Sequence, residues 1–276
     1  MSAVKDADRY AEASRVVLSP LLGALFEAVD GEACRREIVG IVEHDPPIAL
    51  AVLRVASTAR FARRTPCRSL DEAVGRLGLR LLLEIVNNVA GAPLRVPHVE
   101  GYRLCEHGLW RQAIATAFAC RAIAEKRGLS ASRAYTVGLL VDVGKLALAE
   151  PLVRAGTLVD PETPFVCFER DLVGCDHAEV GAAIARRNHL PACLVDGIRF
   201  HHDPRGSDDL WCHLAHVGAG LAAQVLPEGV EGLSNPLFDE SLDRLALSAA
   251  DLLQILHAAV DGVLEADAWC AMGATR

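Results

Sequence analysis

No two cysteines in this chain are spaced Cys-x-x-Cys. Nine stand singly, at positions 34, 67, 105, 120, 167, 175, 193, 212 and 270, and that odd, scattered set excludes a closed disulfide framework and a zinc ribbon. Most lie among Ala, Leu and Val, where a free thiol acts as a small buried hydrophobe, so a reducing, cytoplasmic setting is expected. Also lacking is any run of about eighteen apolar residues without a charge, so no ordinary membrane span is expected. The stretch from Met1 to Arg15 carries Lys5, Asp6, Asp8, Arg9 and Glu12, which leaves no apolar core for a signal peptide. Positive charge is in deficit: 28 Lys and Arg stand against 36 Asp and Glu, a net charge of −8. Nonspecific nucleic-acid binding needs clustered cations that release counterions, so nucleic acid is not an expected partner. The local cluster Arg54, Arg60, Arg63, Arg64 and Arg68 reads as a solvated helix end and loop.

What the chain does hold is helix. Its 276 residues, 51% of them apolar, suffice for one large domain or two modest ones. Ser19-Pro20 marks a helix start before Leu21, Leu22, Leu25, Phe26 and Val29, and Ile38, Val39, Ile41 and Val42 mark another helix. Asp45-Pro46 starts a third, with Ile48, Val52 and Leu53 at helical spacing, and Ser69-Leu70-Asp71-Glu72 has the form of a capping box. The spacing predicts two short helices hinged at Gly78, whose apolar second member, Leu79 to Val89, suits burial better than DNA reading. Further helices are predicted over Tyr102 to Arg127, Ser132 to Glu150, Asp176 to His189, Pro191 to His201 and Ser207 to Leu226. Loops are expected at Ala155 to Pro164 and Pro227 to Pro236, and then a helical tail over Leu242 to Leu247 and Ser248 to Leu264. Period-two alternation is missing, so the expected fold class is all-α.

Chemistry concentrates in the second half. Gly138-Leu139-Leu140-Val141-Asp142-Val143-Gly144-Lys145 reads as a metal-hydrolase signature in which one ligand is replaced, because an isopropyl group cannot coordinate a metal. Asp142, His177, His201, His202 and His216 remain as residue types that could converge on one ion from several helices. No strand precedes Gly138, and Lys145 is not followed by Ser or Thr, so a phosphate-binding glycine loop is not indicated. Ser57 and Ser69 have no evident His and acid companions, which leaves a serine hydrolase unsupported.

From about Leu18 to about His216 the chain resembles the HDOD family, the HD-related output domains of bacterial signalling proteins. Leu18-Ser19-Pro20-Leu21, Glu43-His44-Asp45-Pro46, Leu53 to Ala59 and Ser69 to Gly78 carry the likeness in the first half. In the second half it rests on Leu109-Trp110, Gly138 to Lys145, Asp176 to Gly181 and His201-His202-Asp203-Pro204. The resemblance implies an N-terminal helical lead (1–17), a domain (18–216) with a helical half and an HD-like half, and a helical extension packed on it (217–276).

Carried over from the HD hydrolases, the metal pattern is depleted. Gln112 stands where a histidine would follow Trp110, Val141 replaces the His of the His-Asp pair, and His216 stands where an aspartate is expected. With Asp142 the only carboxylate left, magnesium or manganese would be held poorly, whereas zinc or nickel suits histidines. No cofactor is therefore expected beyond an adventitious or structural divalent metal. Asp142 is expected to pair with Lys145, and His201 and His202 to satisfy carbonyls at a helix end. The expected function is a non-catalytic output module that binds a signalling protein or small ligand near Asn87, Asn88, His201 and His202, with self-association left open. The enzyme alternative is a metal-dependent phosphohydrolase of nucleotides or cyclic dinucleotides, with Asp142, His177, His201 and His216 as ligands.

Overall fold

The computed structural model describes residues 2–14, 16, 21–30, 33–58, 69–90, 92–96, 98–102, 104, 107–155, 163–226 and 236–273. Among these residues the regular structure is helical, with no strand. The helices are α1 (Ser2–Ala13), α2 (Leu21–Asp30), α3 (Arg35–Glu43), α4 (Pro46–Ala56), α5 (Leu70–Ala90), α6 (Gly108–Arg127) and α7 (Ala131–Leu140). They continue as α8 (Lys145–Ala155), α9 (Phe165–Val173), α10 (His177–Arg187), α11 (Ala192–Arg199), α12 (Leu210–Val225), α13 (Pro236–Arg244) and α14 (Ala249–Gly273). They form two compact units: Val17–Pro93 with Asn188–Pro191, and the remainder, Met1–Val16, Leu94–Arg187 and Ala192–Arg276. Residue 216 lies inside α12.

In the smaller unit, local chemistry sets each start. Asp45 caps α4 by accepting from the Ile48 amide at 3.0 Å, with Pro46 pre-set in the first turn. Ser69 Oγ accepts from the Glu72 amide at 3.1 Å at the start of α5. Gly78 breaks α5 with φ 74° and ψ 167°, a region closed to side chains bearing a Cβ, so the predicted hinge is present. Leu82, Leu83, Ile85 and Val86 are buried beyond it, on the core beside Leu22, Phe26 and Ile48. That burial removes them from any DNA-reading role. Arg54 is exposed; Arg60, Arg63, Arg64 and Arg68, like Ser19, Pro20 and the stretches 156–162 and 227–235 where loops are expected, lie outside the described residues.

The larger unit is built around α6, which is apolar on nearly every side and buried accordingly. Ile123, Leu214, Val217, Ile255 and Ala259 form one cluster from α6, α12 and α14. Each fully buried Ile, Leu or Val there contributes about 1.5–3 kcal/mol. Close approach is bought by glycine: a Cβ on Gly218 would sit 2.4 Å from Cys120 Sγ, and one on Gly262 would sit 2.4 Å from the Phe118 ring.

Three sequence expectations need correction here. The helix predicted from Tyr102 begins at Gly108, because Gly101 (φ 82°) and His107 (φ 58°) turn the chain in left-handed conformations and Tyr102 is engaged elsewhere. The helix predicted over 132–150 is two, α7 and α8, separated by the turn Val141 to Gly144. α9 follows the expected loop without having been predicted. The thiols divide: Cys120, Cys175 and Cys212 are buried, but Cys34 and Cys167 are exposed. Among the described residues no single helix is long and apolar enough to cross a membrane.

Candidate functional site

A glycine sets the site. A Cβ on Gly144 would lie 2.0 Å from the His177 carbonyl oxygen and 2.7 Å from the Gly181 amide, so only glycine lets the start of α8 rest against the first turn of α10. That contact brings Asp142 Oδ1 to 3.2 Å from His177 Nε2. The first turn of α10 is fixed by a capping box: the Glu179 amide donates to Asp176 Oδ1 at 2.7 Å, and the Asp176 amide to Glu179 Oε2 at 3.1 Å.

Five more side chains complete the cluster around His177. Lys145 Nζ lies 3.0 Å from Asp142 Oδ1, the expected pair, and both groups are nearly buried. His202 Nε2 is 2.9 Å from His177 Nε2. On the opposite edge of the ring, His177 Nδ1 donates to the Glu169 carboxylate at 2.8 Å, and the His177 amide donates to the same group at 2.8 Å. Tyr102 Oη donates to Glu169 Oε1 at 2.5 Å. His201 Nδ1 donates to the Ile198 carbonyl at 2.8 Å, and the His201 and His202 rings lie 3.9 Å apart between centroids. His201 thus satisfies a carbonyl as expected, and His202 meets His177 through Nε2.

These contacts sort the protons. Burial acts to discharge His177, but the Glu169 carboxylate and hydrogen bonds to Asp142 and Glu169 prevail and raise it to about 10. His201 is pushed down to about 4 by burial and by the charge on His177, and His202 falls well below its ordinary value through burial and both neighbouring rings. Burial works against the Asp142 charge, yet Lys145 and His177 hold it well below the usual carboxylate range. His177 is therefore a buried imidazolium between two carboxylates, and His201 and His202 are neutral.

The cluster tests which ions these residues could hold. Ligand nitrogens of His177, His201 and His202 lie within 4.8 Å of one another. The Nδ1 bonds of His177 and His201 leave Nε2 of each ring as the nitrogen that could take an ion, the arrangement found behind imidazole ligands. That donor set fits a nitrogen-preferring ion of the zinc or nickel kind. It does not fit a hard ion, because Lys145 already neutralises the adjoining carboxylate. Any ion must also displace a proton from His177.

His216 Nδ1 donates to the His201 carbonyl at 2.6 Å while its Nε2 is buried without a hydrogen bond, and His216 is not among the converging nitrogens. Gln112 is buried with an unbonded Oε1, and Val141 is packed in the core. Asn87 is buried and Asn88 half-buried in α5 of the smaller unit, whereas His201 and His202 belong to the larger one. Glu169 and Tyr102 were not singled out by sequence reasoning. The spacing of Phe165, Phe168 and Leu172 after Pro164 was the available signal for the helix that carries Glu169.

The model of the HDOD domain matches residues 24–204, and the chain belongs to the HDOD family. It is similar to an HDOD domain protein from Geobacter sulfurreducens (TM-score 0.68, 21% identity, 95% of each chain). It is likewise similar to a chain from Marinobacter aquaeolei VT8 named "Putative signal transduction protein" (TM-score 0.71, 21% identity, 96% of this chain and 65% of that one). At such identities the likeness speaks for the fold. Ribonuclease Y of Thermus thermophilus is 31% identical over 139 residues, 50% of this chain and 20% of that protein. The chain spans about a third or less of the length of the curated relatives it matches.

Proposed function

We propose that this chain is a non-catalytic signalling module that works by binding a protein partner or a small ligand. The observation that carries the reading is the closed charge set around His177. Two carboxylates, Asp142 and Glu169, face two cations, the Lys145 ammonium and the His177 imidazolium, within hydrogen-bonding distance. A catalytic divalent ion would supply those two positive charges and also activate a water or polarise a phosphoryl oxygen. Here a proton and an ammonium stand in the same electrostatic role, and neither can do that chemistry. Gln112 and Val141 add no charge to attract an ion in their place.

One observation favours the phosphohydrolase alternative: three imidazoles do converge, and they could hold a zinc-like ion next to Asp142. Metal analysis of the purified protein, with phosphodiesterase assays on cyclic dinucleotides in magnesium, manganese, zinc and nickel, separates the two. The expected result is no turnover above the metal-only blank. Turnover that disappears in Asp142→Ala would overturn the binding-module reading.

A further inference from the structure

α14 is anchored on one side and bare on the other. Ile255, Ala259 and Val263 are buried against the larger unit's core. Two ion pairs fix the helix along α6: Lys126 Nζ to Asp251 Oδ1 at 2.6 Å and Arg111 Nε to Asp267 Oδ1 at 3.0 Å. On the outer side, Leu253 is 62% exposed, Val260 39% and Leu264 63%. With exposed His257 these residues stand at intervals of four, three and four, so they form one straight stripe along the helix. A groove of about 520 Å³ runs beside the stripe, floored by Val225 at the end of α12, by Leu226 just past it, and by Leu256, Val260 and Leu264. Isolated exposed leucines need no explanation, but a continuous stripe beside an apolar groove marks a contact surface.

The order of residues along the stripe says what fits it. Leu253 and Leu264 are equally distant from a point between residues 258 and 259, and His257 and Val260 share the same midpoint. A second α14 laid antiparallel about a two-fold axis there sets Leu253 against the partner subunit's Leu264, beside the groove. The same axis keeps each flank of one helix on the same flank of the other. His257 and Asp261, both exposed and on one flank, then face each other across the pair: an imidazole donor meets a carboxylate acceptor, twice by symmetry. The stripe is complementary to itself in both apolar matching and charge.

We propose that α14 is a homodimerisation helix, pairing antiparallel with α14 of a second copy of this chain. The stripe spans twelve residues, about 16 Å of helix from first to last, so the buried surface falls short of the roughly 800 Å² per partner of a standard interface. The dimer is therefore weak and concentration-dependent.

Sedimentation equilibrium of the full chain across a micromolar concentration series tests this. The expected mass rises from 29.5 kDa toward twice that value. Leu253→Glu and Leu264→Glu replace exposed side chains and should leave the thermal melt of the monomer unchanged while holding the mass at one chain. His257→Asp sets carboxylate against carboxylate and should weaken association at least tenfold; the exchange His257→Asp with Asp261→His should restore it. A wild-type chain that stays monomeric throughout the series overturns the proposal, as does a dimer indifferent to both leucine substitutions. Dissociation by the leucine variants with no rescue by the exchange overturns the antiparallel pairing.

Discussion

Lys145 Nζ sits 3.0 Å from the Asp142 oxygen that also faces His177. One carboxylate oxygen is thus shared between two cations, and neither Lys145 nor Asp142 has much solvent to fall back on. Lys145→Met is expected to cost roughly 3 kcal/mol, because a buried carboxylate loses its nearest counter-charge. Urea unfolding at neutral pH measures this. Lys145→Met with Asp142→Asn should cost less than the two single changes added together, since the pair acts as a unit. Strict additivity would show that the contact carries no coupling.

The histidines give stability two pH limbs. The folded-state value of His201, about 4, lies below its ordinary value near 6.5, so its contribution is present above about pH 6.5 and is lost as pH falls toward 4. His202, also lowered, acts in the same direction. For His177, raised to about 10, the contribution is present below about 6.5 and is lost as pH rises toward 10. The melting temperature should therefore peak near pH 6.5. Glu169→Gln removes the carboxylate that holds the His177 proton, so it should flatten the alkaline limb and lower the His177 value seen by NMR titration. An unchanged alkaline limb would assign that limb to other groups.

Gly144→Ala tests the close approach of α8 to α10. The added methyl meets backbone atoms of His177 and Gly181, which cannot rotate away. The expected loss is about 3 kcal/mol, at the upper end of overpacking costs. Thermal unfolding reads it, and the His177 NMR signals should shift with it. By contrast, Gly40→Ala introduces a Cβ with no neighbour within 4 Å and is expected to be neutral or slightly stabilising.

Thiol labelling at pH 8 distinguishes the two classes of cysteine. Cys34 and Cys167 are exposed and should react within minutes in the native protein. Burial raises Cys175 and Cys212 to about 12 and pushes Cys120 further still, so these three should react only on unfolding. Fast labelling of Cys175 in the folded chain would contradict its burial.

Much of the fold was legible because helix starts are written in local chemistry. Asp45-Pro46 and Asp176 with Glu179 act through neighbours two to four residues away, so the predicted starts of α4 and α10 agree with the structure. What escaped was set by partners distant in sequence. Tyr102 leaves the predicted helix to reach Glu169, 67 residues on, and no local propensity records that bond. The interruption between α7 and α8 depends on the packing of Gly144 against α10, another distant partner. The site was legible as a set of residue types, since Asp142, His177, His201 and His202 do meet. Its charge balance was not, because Glu169 lies on a helix that went unpredicted and approaches His177 from behind.

Val141 bears on what a ligand at its position would require. Its side chain is 1% exposed, so the position belongs to the apolar interior. A histidine placed there alone would bury a polar ring in space shaped for an isopropyl group, with Lys145 still seated on Asp142. Building a further ligand at this point thus takes several coordinated changes, and the first of them yields a less stable protein.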